Sequence, residues 1–408
     1  MKRIAVIGAG ASGLAAAVAA SEAAKHASED VQVSIYEASD RVGRPILATG
    51  NGRCNFSNSN IDPDVYRNSE FVRDALRAFE AAYPKGKHPN GVTAFFASRG
   101  MLYREEGEGR LYPLANKASV VLDVLRHGME AAGLEVHLEA RVSSVELPRE
   151  DSSVFTMRMA DGAFERSDAV ILACGGSVAK RMLPDMFAFA EQYPVLCSIA
   201  TDTTYVRELD NIRAKASLSL VRDGKLIASE SGEVMFRKYG ISGICAFNLS
   251  RLAKPGDLLS VNFLPFVADE EAEGFAKSRL SELQPIYPLG VTCGGFLQGI
   301  VLPRVADSLL KYCGLHEGDQ ADGQKASVLM CALKGFSAEV KGPGDAEHAQ
   351  VTRGGFDVSG FDPSTFEAKC APGLHVVGEA LDVDAPCGGY NLHWAFASGL
   401  MAGKSCIS

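Results

Sequence analysis

The sequence predicts an α/β fold in which the two ends of the chain build one Rossmann-like domain and the middle is an insertion. Three observations carry that expectation. A glycine fingerprint stands between a strand and a helix at the N-terminus, and a second glycine pair opens a helix near the C-terminus. Between them, residues 190 to 347 change character and carry no phosphate-binding signature.

The N-terminal element comes first. Lys2–Ile7 is a short apolar run, Gly8-Ala9-Gly10-Ala11-Ser12-Gly13 follows, and an Ala-rich segment continues to about Ala24. Strand, Gly-x-Gly-x-x-Gly and helix together grip a dinucleotide pyrophosphate. Gly8 permits the tight turn, Gly10 lets the backbone approach the phosphates, and Gly13 lets helix and strand pack closely. The first helical turn, with Ala11 and Ser12, offers free N–H groups and a positive dipole end. Val31–Tyr36 alternates as a second strand and ends in Glu37, 24 residues past Gly13. That acid is placed to take ribose hydroxyls. The basic-then-apolar start imitates a secretory signal, but fingerprint glycines and an acid-tipped strand serve no such purpose.

Length and composition bound the rest. The 408 residues suit two or three domains, and 47% apolar with 22% charged residues is ordinary globular composition. The longest uncharged apolar run is the fingerprint itself, so no transmembrane helix is expected. A net charge of −9 without a basic block argues against nucleic-acid binding. Ten scattered cysteines form no Cys-x-x-Cys pair, which argues against a zinc site and a local redox disulfide. Reduced thiols in a cytoplasmic protein are the simpler expectation.

After Glu37 come Arg41-Val42-Gly43-Arg44-Pro45 and Thr49-Gly50-Asn51-Gly52-Arg53-Cys54-Asn55. Such a loop can present backbone N–H groups and guanidinium to an anion or a polar ring edge. Residues 60 to 105 read as mixed helix and loop without assignable chemistry. A helix opens at Asn116–Ser119, carries Ala118, Val121, Leu122, Leu125 and Met129 on one face, and ends at Gly133. Strand-like runs follow at 135–138, 141–147 and 154–159. Ala169–Ala173 then reads as a buried parallel strand whose end, Cys174-Gly175-Gly176, faces a ligand.

The insertion reads as strand-rich, then helix-rich. Ile199–Val206, Ala214–Val221 and Leu226–Phe236 alternate around an Arg222–Lys225 hairpin turn. Helices are expected over Asp269–Leu283, Phe296–Tyr312 and Lys325–Phe336. No second fingerprint marks a separate nicotinamide domain. Near the end, strand Leu374–Val377 runs into Gly378-Glu379, with Asp382 and Asp384 beyond. Pro386-Cys387-Gly388-Gly389 leads into Tyr390-Asn391-Leu392 and a small-residue helix through about Gly403. This second anion-friendly helix start suits a flavin, whose N1–C2=O edge becomes negative on reduction. Such a contact is worth roughly 0.3–2 kcal/mol.

On these residues the chain resembles the aminoacetone-oxidase-like, or YhiN-like, two-domain FAD-binding oxidoreductases, which include the bile-acid-reducing BaiN flavoproteins. The resemblance spans almost the full length. It rests on Gly8–Gly13 with Glu37, on Thr49–Asn55, on Gly232–Gly243 and on Ala349–Thr352. Gly378–Asp384 and Gly388–Leu392 complete it. It implies a glutathione-reductase-type FAD-binding Rossmann-like domain, residues 1–189 and 348–408. An inserted β-barrel-like plus helical cap domain, residues 190–347, would cover the ring. It further implies that Gly8, Gly10 and Gly13 hold the FAD pyrophosphate and Glu37 the ribose. Val142 would lie by the adenine, Asp382 by the ribitol or pyrophosphate, and Gly389–Leu392 beside the flavin. Arg44, Asn51–Cys54, Cys174, Gly175, Gly378 and Glu379 complete the expected cofactor contacts. Three departures stand out: Pro45 where Lys is usual, Cys174 where Thr is usual, and Ser177–Arg181 in place of a Pro- and Gly-rich stretch.

The expectation is an FAD-dependent oxidoreductase transferring hydride at flavin N5, with NAD(P)H as donor and a small, rather apolar substrate such as an enone. Arg53, Tyr390 and His393 are catalytic candidates by neighbourhood. Alternatives are an O₂-using amine oxidase and a non-catalytic flavin-binding sensor or interaction protein. A flavin-dependent nucleic-acid-modifying enzyme is disfavoured by the charge. No sequence feature points to an oligomeric state.

Overall fold

The computed structural model describes residues 1–148 and 153–407. It divides into two compact units, Met1–Tyr193 with Val351–Ser408, and Pro194–Gln350.

The first unit is built on a six-stranded sheet in the order Glu367–Ala368, Ala371–Val376, Ala169–Leu172, Lys2–Ile7, Val31–Tyr36 and Glu135–His137. All neighbours are parallel except the first pair. Strand β1, Lys2–Ile7, sits in the middle, which is why its last four residues and those of Ala169–Leu172 are uniformly buried. Helix α1, Ala11–Ala27, packs on the C-terminal helix Tyr390–Ser405. Their small residues have a steric cause. A methyl group at Gly399 would stand 2.2 Å from the Ser12 carbonyl, and one at Gly403 2.1 Å from that of Ala16. The two backbones touch along this seam.

The amphipathic helix is observed over Ala118–Ala132, with Ala118, Val121, Leu122, Leu125 and Met129 buried and Gly133 in a left-handed C-cap. Strands Phe189–Val195 and Val351–Phe356 pair with each other where the chain leaves and re-enters this unit. The departing residues Ser177–Arg181 lie in a short helix, Gly176–Met182.

The second unit contains a closed six-stranded barrel. Its order is Ile199–Thr201, Gly240–Ser242, Lys225–Arg237, Arg213–Arg222, Leu258–Asn262 and Phe336–Pro343, back to the first. Ala216, Leu218 and Leu220 alternate inward with Val234, Phe236, Leu259 and Val261, so the interior is packed. The strand-rich-then-helix-rich division needs correction. Of the two closing strands, Leu258–Asn262 precedes the expected helices in a stretch given no element, and Phe336–Pro343 follows them, because their partners are remote in sequence. The expected helix over 296–312 is also two helices, Cys293–Leu297 and Pro303–Cys313. Pro303 lacks an N–H and is stable only at a helix start. Among the described residues no helix is long and apolar enough to cross a membrane.

Candidate cofactor site and active site

The fingerprint glycines divide by what each must avoid. Gly8 has φ +101°, and a Cβ there would lie 2.8 Å from the Ala173 carbonyl oxygen. At Gly13 a Cβ would stand 1.9 Å from the Gly8 carbonyl oxygen. The fold itself therefore requires both. Gly10 is different: its φ of −80° suits any residue, and a Cβ there meets nothing within 4 Å. As N-cap of α1 it brings no side-chain acceptor to the first turn. Gly10 therefore leaves open space before a helix N-terminus, which is the cradle a pyrophosphate needs.

Glu37 closes the other side of this cradle. Its Oε2 accepts from the Ala9 N–H and its Oε1 from the Ser39 N–H, both at 2.8 Å. A carboxylate has about four acceptor sites, so each oxygen retains one for a ribose hydroxyl. The Glu37 carbonyl also takes the Ala140 N–H at 2.9 Å. That bond ties Glu37 to the chain two residues before Val142, which is buried in the strand Val142–Glu146. Gly43, with φ +69°, donates to the Ala9 carbonyl at 2.8 Å, and Arg44 beside it is exposed.

The Thr49–Asn55 loop is wound left-handed. Gly50, Asn51, Gly52 and Cys54 have φ of 55°, 56°, 81° and 59°. Its N–H groups turn back on it, Cys54 to the Thr49 carbonyl at 3.1 Å and Arg53 to Gly50 at 3.2 Å. Arg53 is committed within the protein. Its Nε donates to Asn116 Oδ1 at 2.6 Å, its Nη2 pairs with Glu106, and its guanidinium lies 4.2 Å from the Tyr112 ring centroid. Cys54 is fully buried, which pushes its thiol up to about 11. Asn55 Oδ1 is buried without a partner, 2.7 Å from where a Cβ on Gly389 would stand. This loop and the C-terminal glycine turn therefore meet at an unsatisfied acceptor. An occupant with hydrogen-bond donors, as a flavin and its ribityl chain have, fits such a place.

At the C-terminal ends of the central strands lie two further turns. Gly175 has φ +77° and precedes the helix at Gly176, while burial pushes the Cys174 thiol up to about 12. Gly378 has φ +64°, and a Cβ there would lie 2.8 Å from Ser12 Oγ, so this turn abuts the first turn of α1. Its N–H donates to Ser398 Oγ at 3.0 Å. The Glu379 carboxylate accepts from the Thr352 N–H, and desolvation raises its pKa.

Gly389, φ +95°, is the N-cap of the helix Tyr390–Ser405, and a Cβ there would lie 2.2 Å from the Ser57 carbonyl oxygen. The Asn391 carboxamide accepts from Ala385 N at 2.9 Å and donates to Ala385 O at 2.8 Å, fixing the approach to that turn. Leu392 is half-buried, and Tyr390 Oη donates to the Asn60 carbonyl at 3.4 Å.

Two expectations change. His393 has 1% exposure, with Nδ1 3.0 Å from Ser57 Oγ, and burial lowers its pKa to about 3. A side chain so enclosed cannot touch a substrate, and the structure removes it from the catalytic candidates. The Asp382 carboxylate is likewise turned inward. It takes Arg67 Nε at 2.7 and 2.9 Å, so it anchors an arginine rather than facing an open cofactor cradle. Its neighbour Asp384 holds Arg353 at 2.9 and 3.0 Å. Asn55 lies in the loop expected to face a ligand and Thr352 in a stretch that carries the resemblance, whereas Arg67 falls in residues 60 to 105, which gave no local signal, because only pairing with a distant segment ties it here.

The chain matches the family described as HI0933-like protein Rossmann domain over residues 2–405. It is 32% identical to a 3-dehydro-bile acid delta(4,6)-reductase of Clostridium scindens, with 99% of each chain covered. It is 26% identical to the ribosomal RNA dihydrouridine synthase of Escherichia coli, covering 99% of this chain and 97% of that one. The enzyme of the same description from Haemophilus influenzae is also 26% identical, with 96% and 95% covered.

Proposed function

The chain belongs to the HI0933-like protein family and is an FAD-dependent oxidoreductase, and from that premise we propose that it reduces a carbon–carbon double bond conjugated to a carbonyl. The substrate is small and rather apolar, an enone or dienone, and NAD(P)H is the electron donor. The geometric observation that supports the cofactor side is Gly10, a fingerprint glycine that no protein atom requires, at an open helix N-terminus. The relatives' names support the substrate side. One names a reductase of a 3-oxo Δ4,6 system. The others name dihydrouridine, which is uridine saturated at a double bond conjugated to a carbonyl.

In this reading the first turn of α1 and Gly10 hold the pyrophosphate, and Glu37 holds the ribose hydroxyls. The Thr49–Asn55 loop and Gly388–Gly389 flank the ring. When bound, FAD supplies hydride from N5 after taking two electrons from the nicotinamide. The helix start at Tyr390 would favour negative charge developing on a flavin held there by roughly 0.3–2 kcal/mol. Hydride arriving at the carbon β to the carbonyl pushes an electron pair onto the carbonyl oxygen, and the α carbon then takes a proton. The chain must therefore offer that oxygen a donor.

The test is turnover of purified protein with NADH or NADPH against steroidal and simple enones, primary amines under O₂, and uridine-containing RNA. Nicotinamide consumption coupled to an enone product heavier by two hydrogens supports the reading. Amine oxidation with peroxide release would make it an oxidase, and reduction of RNA uridine would move the substrate to nucleic acid. Bound FAD with no turnover of any kind would favour a sensor.

A further inference from the structure

We propose that Arg67 is the residue that binds the substrate's carbonyl oxygen, an inference that rests on the reductase reading. Residues 60 to 105 carry no local chemical signal, yet the structure stitches Tyr66-Arg67-Asn68 onto the segment that leads into the C-terminal helix. Tyr66 Oη donates to the Tyr390 carbonyl at 2.9 Å, and the Arg67 N–H to that of Asp384 at 2.8 Å. Arg67 Nε donates to both Asp382 oxygens, and Asn68 Nδ2 to the Asp382 carbonyl at 2.6 Å. Tyr390 opens the helix whose N-terminus receives the ring in the reading above. These bonds therefore hold Arg67 against the flavin end of the site, not the adenosine end.

Among the arginines of this region, the state of Arg67 differs. Arg53 is engaged by Glu106, Asn116 and the Tyr112 ring. Arg353 is clamped by Asp384, with its side chain only 12% exposed. Arg44 is exposed but lies beside Gly43 and Ala9, at the pyrophosphate and ribose end. Arg67 spends only Nε on Asp382, and its Nη1 and Nη2 have no acceptor among the described residues, while the side chain stays 41% exposed. A guanidinium is a planar fork with five N–H donors. Fixing it through Nε sets its plane and leaves four N–H donors without an acceptor among the described residues.

The chemistry needs such a group. As hydride reaches the β carbon, charge grows on the carbonyl oxygen, and a pre-oriented cation stabilises that charge more than it stabilises the neutral ground state. Asp382 then acts on the reaction through Arg67, by holding its plane. The buried Arg353–Asp384 pair ties down the adjacent stretch of chain.

The experiment uses 4-chlorophenol, whose phenolate is a planar stand-in for the enolate oxygen, titrated into the FAD-loaded protein and read by the flavin absorbance. Arg67→Met and Arg67→Gln are compared with wild type and with Arg77→Met, a control at an exposed arginine paired only to Asp74. The Gln variant keeps a donor near the Nε position for Asp382 and loses the charge together with the Nη donors, so it decides the question if the Met variant folds poorly. Both Arg67 variants should retain FAD, bind phenolate at least about tenfold more weakly, and lose on the order of 100-fold in enone kcat/KM. The control should match wild type. Arg67 variants with wild-type phenolate affinity and wild-type kcat/KM would overturn the proposal and leave the reductase reading intact. Absence of phenolate binding by wild type would also overturn it. Phenolate binding lost in both variants, with no enone reduced by wild type, would sustain the oxyanion site and sink the enone reading.

Discussion

A methyl group on Gly13 would stand 1.9 Å from the carbonyl oxygen of Gly8, so these two fingerprint residues are in backbone contact. Gly10, between them, touches nothing in the position a side chain would take. The fingerprint thus contains two structural glycines and one that only a ligand can require.

That division predicts opposite phenotypes. Gly13→Ala should destabilise the protein by about 2 kcal/mol or more, since overpacking against rigid backbone cannot relax. Gly10→Ala should leave the apoprotein melting temperature within a degree or two and weaken FAD binding at least about tenfold, roughly 1.4 kcal/mol. Thermal melts of the apoproteins beside FAD titrations separate the two.

Glu37→Gln should weaken FAD by about 1.5–3 kcal/mol, the scale of charge-assisted hydrogen bonds to two ribose hydroxyls. Because Glu37 also holds the Ala9 and Ser39 N–H groups, Glu37→Ala should additionally loosen the glycine loop. Isothermal titration of apoprotein measures both, and unchanged affinity in the Gln variant would remove Glu37 from the cofactor site.

Cys54→Ser and Cys387→Ser should keep most activity. The Cys54 thiol is fully buried and held near 11, so it is not a nucleophile at neutral pH, and none of the ten cysteines is in a disulfide. A hundredfold loss of kcat with FAD still bound, about 2.7 kcal/mol, would contradict this.

His393 is buried as the neutral form, its pKa lowered by desolvation to about 3. The unfolded chain takes up a proton near pH 6.5 that the folded chain refuses, so stability is complete above that pH and falls as pH drops from there toward 3. The slope is up to about 1.4 kcal/mol per pH unit for one proton. Denaturant melts of His393→Gln should show a shallower loss over that window, with catalysis at neutral pH within a few-fold of wild type. An abolished kcat in a well-folded variant would restore His393 to the active site.

Much of the cofactor cradle was legible because its signals are local. Glycines at fixed spacing, an acid at a strand tip and the 3.6-residue stripe of Ala118–Met129 depend on neighbours in sequence. The Arg67–Asp382 tie depends on two segments 315 positions apart, and no periodicity announces it. The barrel's closing strands were hidden for the same reason. The split before Pro303 was different: the signal was present, and helical spacing on both sides masked it.

The central claim is tested most directly by anaerobic titration of the purified, yellow protein. NADH or NADPH should bleach the flavin absorbance with two electrons per FAD, and an enone added afterward under argon should restore the oxidised spectrum in stoichiometric amount. A flavin that neither nicotinamide reduces, or one that is reduced but reoxidised only by O₂ and by no enone, would contradict the account.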